Sequence, residues 1–211
     1  RFSVSCLRDG LRPLRPGDLV LVCGRPDTGK TTFLTSELVA MVQGMGDDDC
    51  VLWFNNEGEG NRIIKRLYQS FLGCTVEELI LMMQNDPAKL KADYHAAGGT
   101  KVRIIDCHDW DTLMVEQVIA DVGPALVIFD MIDNLEFKGD LKVGGDARTD
   151  QVLEGQYQWG RKLGVKYGHP VLATSQISAA AEQSPDTKCW PQMHMLKDSQ
   201  TGKQGAADLM I

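Results

Sequence analysis

Long apolar runs are missing from this 211-residue sequence: none approaches the roughly 20 residues that a helix needs to cross a bilayer. The opening "RFSVSCLRDGLRP" has no apolar signal-peptide core, so neither secretion nor membrane insertion is expected. It also lacks an initiator Met, and the chain is expected to be part of a longer one. Paired cysteines are missing too. Cys6, Cys23, Cys50, Cys74, Cys107 and Cys189 form no CxxC pair, and the four histidines are scattered, which removes zinc-ligand spacing. Cys23 and Cys50 fall in apolar runs, where a free thiol behaves as a small hydrophobe, so a reducing, cytoplasmic setting is expected. Positive charge is in short supply, with 22 Lys and Arg against 29 Asp and Glu. A net charge of −7 argues against a broad basic face for nucleic acid, but leaves room for a narrow channel or a few placed loops. No internal repeat, low-complexity tract or domain boundary is visible, and residues 1–211 read as one domain.

What is present is an alternation of buried strands and amphipathic helices. "DLVLVCG" ends in glycine and reads as a strand; "KTTFLTSELVAMVQG" has Phe33, Leu34, Leu38 and Met41/Val42 on one side of a helix stopped by Gly44. "CVLWFNN" is a second strand. "GNRIIKRLYQSFLG" is a helix with Ile63, Ile64, Leu67 and Phe71 inward. "TVEELILMM" opens with a Thr75/Glu78 capping box. "KVRIIDC", "ALVIFDMID", "PVLATSQ" and "AADLMI" are further strands, with helices at "DTLMVEQVIADVG" and about 150–167. The Gly- and Asp-rich 136–149 stretch and the polar 178–194 stretch read as loops. The pattern specifies an α/β fold with a mainly parallel twisted sheet and helices on both faces.

One stretch carries chemistry: "CGRPDTGKTTFL" has a glycine, four residues, then Gly-Lys-Thr. This is the phosphate-loop spacing, placed between a buried strand and a helix. Its glycines let backbone N–H groups turn toward phosphate oxygens, and the helix points its positive end there. Gly24, Arg25, Pro26, Asp27, Thr28, Gly29, Lys30, Thr31 and Thr32 are thus expected to hold a nucleoside triphosphate. Lys30 is expected to reach the β- and γ-phosphates, and the Thr31 hydroxyl to hold Mg²⁺. Asp130 closes the most apolar strand with a carboxylate, as a second Mg²⁺ anchor should. Strand ends of such sheets face the ligand crevice. Glu57 is expected to end the second strand and Gln176 the fifth, and either is a candidate for positioning the attacking water. Glu59 is the rival to Glu57.

Together these stretches resemble the RecA-like motor domain of DnaB-type replicative helicases, including bacteriophage relatives. The resemblance runs from "LRPLRPGDLVLVCGRPDTGKTTF" to "DLMI". Gly24-Arg25-Pro26 matches the family's lead into the loop. Val51 to Glu57 matches the strand ending in a catalytic Glu, although the usual Ser-Leu-Glu is replaced by Asn55-Asn56-Glu57. Leu126 to Leu135 matches the Walker B strand. Ser175-Gln176 matches the γ-phosphate sensor. "LKDSQTGKQGAADLM" looks like the loop that reaches into the hexamer channel, one residue longer, which makes Lys197, Asp198, Ser199 and Lys203 candidates for gripping single-stranded DNA. In the family an arginine-finger strand follows Asp-Leu-Met-Ile and an N-terminal segment helps to close the ring, and both are expected to belong to the longer chain. The resemblance implies an ATP- and Mg²⁺-dependent RecA-like P-loop NTPase that forms a ring, a hexamer in the intact protein, and moves on single-stranded DNA. Primase or a loader is an implied partner. The alternative is a RecA- or KaiC-like switch in which ATP controls assembly without translocation. The channel-loop residues and the "GRP" lead favour the motor.

Overall fold

The computed structural model describes residues 1–138, 149–177 and 205–211. Six strands form one sheet: β1 (Leu19–Gly24), β2 (Val51–Asn55), β3 (Val102–Asp106), β4 (Leu126–Asp130), β5 (Val171–Gln176) and β6 (Leu209–Met210). The order across the sheet is β3-β2-β4-β5-β1-β6, and every pairing is parallel. Seven α-helices accompany them among the described residues: α1 (Ser5–Gly10), α2 (Lys30–Gln43), α3 (Gly60–Leu72), α4 (Val76–Asn85), α5 (Pro87–Ala96), α6 (Thr112–Val122) and α7 (Thr149–Tyr167).

The strands alternate between two cores because successive side chains leave a strand on opposite faces. Val20, Val22, Trp53, Ile128 and Leu172 join Leu34 and Leu38 of α2 and Ile63 and Leu67 of α3. Leu19, Leu21, Phe54, Phe129 and Ala173 join Val115 and Ile119 of α6 and Tyr157 and Leu163 of α7. With helices on both faces, β2 and β4 are buried at every position, which is why they read as continuous apolar runs.

Three departures from the sequence reading have local causes. On α3 the buried stripe is Ile63, Leu67 and Phe71, four residues apart, while Ile64 turns outward with 41% exposure. A residue one position on is rotated by about 100°, off a narrow stripe. α5 has no counterpart in the sequence reading, because its apolar content is thin; Asp86 caps it through the Lys89 amide and Pro87 stands in its first turn. α1 is a single short helix, joined to the body by the segment before it: the buried Glu37 carboxylate of α2 accepts from Ser3 N–H, Ser3 Oγ and Val4 N–H.

Candidate phosphate-binding site

The parallel register lines up the C-terminal ends of the strands. Gly24 lies opposite Gln176, and Asn55 lies opposite both Asp106 and Asp130. A cavity of about 330 Å³ opens at this edge, within the range of small-molecule sites. Asp27, Gly29, Lys30, Thr31 and Thr32 line one part of it, and Asp130 and Asn55 lie at the strand ends.

The loop between β1 and α2 has the backbone that its glycines permit. Gly29 sits at φ +93° as the residue before α2, a left-handed conformation that costs glycine nothing. Gly24 is required for a different reason: a Cβ there would lie 2.8 Å from Thr28 Oγ1 and 3.2 Å from Lys30 Cγ. Thr28 Oγ1 donates to the Arg25 carbonyl at 2.7 Å, tying the loop to itself. Lys30, buried, donates from Nζ to the carbonyls of Arg25 (3.0 Å) and Gly24 (3.4 Å). The first turn of α2 has no side-chain cap, so its amides are open to an anion.

Asp130 is 1% exposed, and a carboxylate buried so deeply needs partners. Thr31 Oγ1 donates to one oxygen at 3.0 Å, and Thr174 Oγ1 of β5 donates to the other at 2.7 Å. Thr31 and Asp130 thus stand side by side, a hydroxyl and a carboxylate: hard oxygen donors that fit Mg²⁺, which takes one or two protein ligands plus substrate phosphates.

Glu57 does not end β2, which stops at Asn55; it lies in the loop beyond and, like Glu59, is exposed and lines the cavity. Arg62 and Arg66, one turn apart on α3, line it too and have no site role in the sequence reading, which gives Arg66 only an outward place on the helix. Gln176 ends β5, half-buried, outside the described residues that line the cavity. Lys197, Asp198, Ser199 and Lys203 lie outside the described residues. Thr174 and the side chains of Asn55 and Asn56 are likewise without a role in the sequence reading. Their only sequence signal is polarity at the ends of otherwise apolar strands.

Beside the site, burial pushes the Cys107 thiol up to about 12, with the Asp106 carboxylate adding to the shift. It stays a neutral thiol, its Sγ 3.4 Å from the Asn55 carbonyl.

An all-parallel sheet with this loop after its first strand and a carboxylate at the end of β4 defines a RecA-like P-loop NTPase fold. The chain belongs to the family described as AAA domain, whose model matches residues 3–178. Among solved structures it is similar to one described as an ATPase domain, at 19% identity and a TM-score of 0.73, over 93% of this chain and 69% of that one. It is equally similar to a DnaB-like replicative helicase described with its interactions with primase, at 21% identity and a TM-score of 0.73. There the match covers 93% of this chain and 46% of that chain, so this sequence spans less than half of that helicase. No curated protein sequence matches the chain. At these identities the structures establish a shared fold, that of DnaB-like helicase ATPase domains. No helix among the described residues is long and apolar enough to cross a membrane.

Proposed function

We propose that this chain is the ATP-hydrolysing motor domain of a ring-forming replicative DNA helicase that translocates on single-stranded DNA. The observation that carries the proposal is the cavity at the strand ends, where the phosphate loop, Thr31 and Asp130 meet in a fold shared with DnaB-like helicase domains. In this reading the amides of the loop and the Lys30 ammonium bind the triphosphate, and Thr31 and Asp130 hold Mg²⁺. When bound, the metal neutralises charge on the phosphates. Glu57 accepts a proton from the attacking water, and Gln176 senses the γ-phosphate. Lys197, Asp198, Ser199 and Lys203 grip the DNA backbone in the channel of a hexamer. The work is done in the cytoplasm of a bacterial or phage-infected cell, with primase or a loader as partner.

The test is hydrolysis by the full-length protein with and without single-stranded DNA. DNA should stimulate turnover, and Lys197→Ala should weaken both binding and stimulation. Each lost phosphate contact lowers the slope of log affinity against log salt by roughly 0.7 for single strands. An acidic chain has few other places to hold a phosphate backbone, so unchanged affinity and stimulation would remove Lys197 from the interface. A full-length protein that binds no DNA would hand the lead to the ATP-controlled switch.

A further inference from the structure

Asn55 ends β2 and Asn56 leads from it to the cavity-lining Glu57, and their amides reach in opposite directions across the sheet. Asn55, 2% exposed, uses both protons of its side-chain amide: Nδ2 donates to Asp106 Oδ1 at 2.6 Å and to the Gly58 carbonyl at 2.6 Å. The first bond ties the loop to β3, and the second closes the loop around Glu57 itself. Asn56 ties the same loop to β4. Its backbone N–H donates to the Asp130 carbonyl at 2.9 Å, and its Oδ1 accepts from the Met131 amide at 2.6 Å. Asn134 Nδ2 donates to the Asn56 carbonyl at 3.5 Å. The residue before Glu57 and the residue after it are therefore each fixed, one to the backbone of the metal-anchoring Asp130, the other through Asn55 to β3.

Glu57 is exposed and its side chain makes no hydrogen bond among the described residues, so nothing at its own carboxylate sets where it points. Placement must come from the backbone that carries it. A buried Asn pair bonded to both neighbouring strands holds the loop where those bonds are made, whereas an apolar pair could fill the same space without fixing it. We propose that Asn55 and Asn56 are positioning residues that clamp the loop between β3 and β4 and so hold Glu57 at a fixed distance from Asp130. The inference rests on the reading of Glu57 as the group that activates water. It also gives a reason for Asn-Asn where the resembled family has Ser-Leu: a Ser hydroxyl carries one proton, and the Asn55 amide carries the two that this loop uses.

The experiment measures steady-state hydrolysis and triphosphate affinity in the full-length protein for Asn55→Ala, Asp106→Ala and Glu57→Gln, and for Asn55→Ala combined with Glu57→Gln. Asn55→Ala and Asp106→Ala should each lower kcat by about 10- to 100-fold, the scale of a misplaced catalytic group, with affinity changed less than about twofold. Asn55→Ala should add no further loss in the Glu57→Gln background, because it acts through Glu57. Asp106 is exposed at the sheet edge, so its variant keeps the test open if Asn55→Ala fails to fold. Wild-type kcat in Asp106→Ala, or in a folded Asn55→Ala, beside a dead Glu57→Gln, would overturn the clamp and leave the motor reading standing. An active Glu57→Gln with a dead Glu59→Gln would overturn the clamp and the assignment of the base together. Equal, additive losses in kcat with and without Glu57 would also overturn it, as the mark of a general structural defect.

Discussion

Lys30 shows how one residue links loop geometry to chemistry. An ammonium that is 7% exposed must have acceptors, and its two are carbonyls of the very loop it belongs to. The positive charge is therefore kept in the cavity lining with no carboxylate bonded to it among the described residues. Lys30→Ala should cost about 10²–10³-fold in turnover, the range for deleting one preorganised donor to a developing anion. The fold should survive, since Lys30 lines the cavity and its ammonium bonds only to loop carbonyls among the described residues. Thermal unfolding and hydrolysis measured on the same preparation check both halves. Wild-type turnover would mean that this loop is not the working site.

At the scale of elements, helices of this chain differ in what holds them. α2 begins on a left-handed glycine with no side-chain cap and relies on Leu34, Leu38, Met41 and Val42, all buried. α4 is the opposite case: only Leu79 is buried, while Val76, Ile80 and Met83 are about half exposed. With so little packing, its start depends on the capping box, in which Thr75 Oγ1 accepts from the Glu78 amide at 3.2 Å and the Thr75 amide donates to Glu78 Oε2 at 2.8 Å. Thr75→Ala should cost about 1 kcal/mol, read as a lower urea midpoint with an unchanged slope. A change in slope as well would mean that α4 frays independently of the body. α5 follows on a similar principle, with Asp86 as cap and Pro87 in the first turn. That signature is legible in "NDPAKL" once capping rather than periodicity is sought.

For the whole molecule the acid limb of stability follows from three groups. His169 is 1% exposed, with Nδ1 3.1 Å from the Pro170 carbonyl and Nε2 without a partner among the described residues. Burial holds its pKa below the ordinary 6.5. The unfolded chain therefore binds the extra proton first. Stability is full above pH 6.5 and is lost as pH falls from there through the folded value. Asp18, hydrogen-bonded by Arg12, and Glu116, hydrogen-bonded by Lys166, are held below 3.8 and 4.5 respectively. Their contributions are full above those values and lost below them, so acid should act in two stages. Melting temperature should be flat near neutrality, decline below pH 6.5, and drop again below pH 4.5. His169→Gln should flatten the first stage and spare the second. An unchanged first stage would assign it to another group.

The phosphate loop, the strand ending in Asp130, the capping box at Thr75 and the alternation of strands and helices were all determined by the sequence by itself. Each depends on neighbours within a few residues: a glycine where φ must be positive, an apolar run where both faces are covered, a hydroxyl three positions before a carboxylate. Only the tertiary structure decided what stands beside what. Thr174 reaches Asp130 across 44 positions of chain, Asn55 reaches Asp106 across 51, and Asn56 reaches Met131 across 75. Those meetings follow from the order β3-β2-β4-β5-β1-β6, which the local pattern of each strand leaves open. Local conformation is fixed by the torsional preferences of adjacent residues, whereas lateral pairing is fixed by which loops close and which cores fill, and these exist only once the whole sheet has formed.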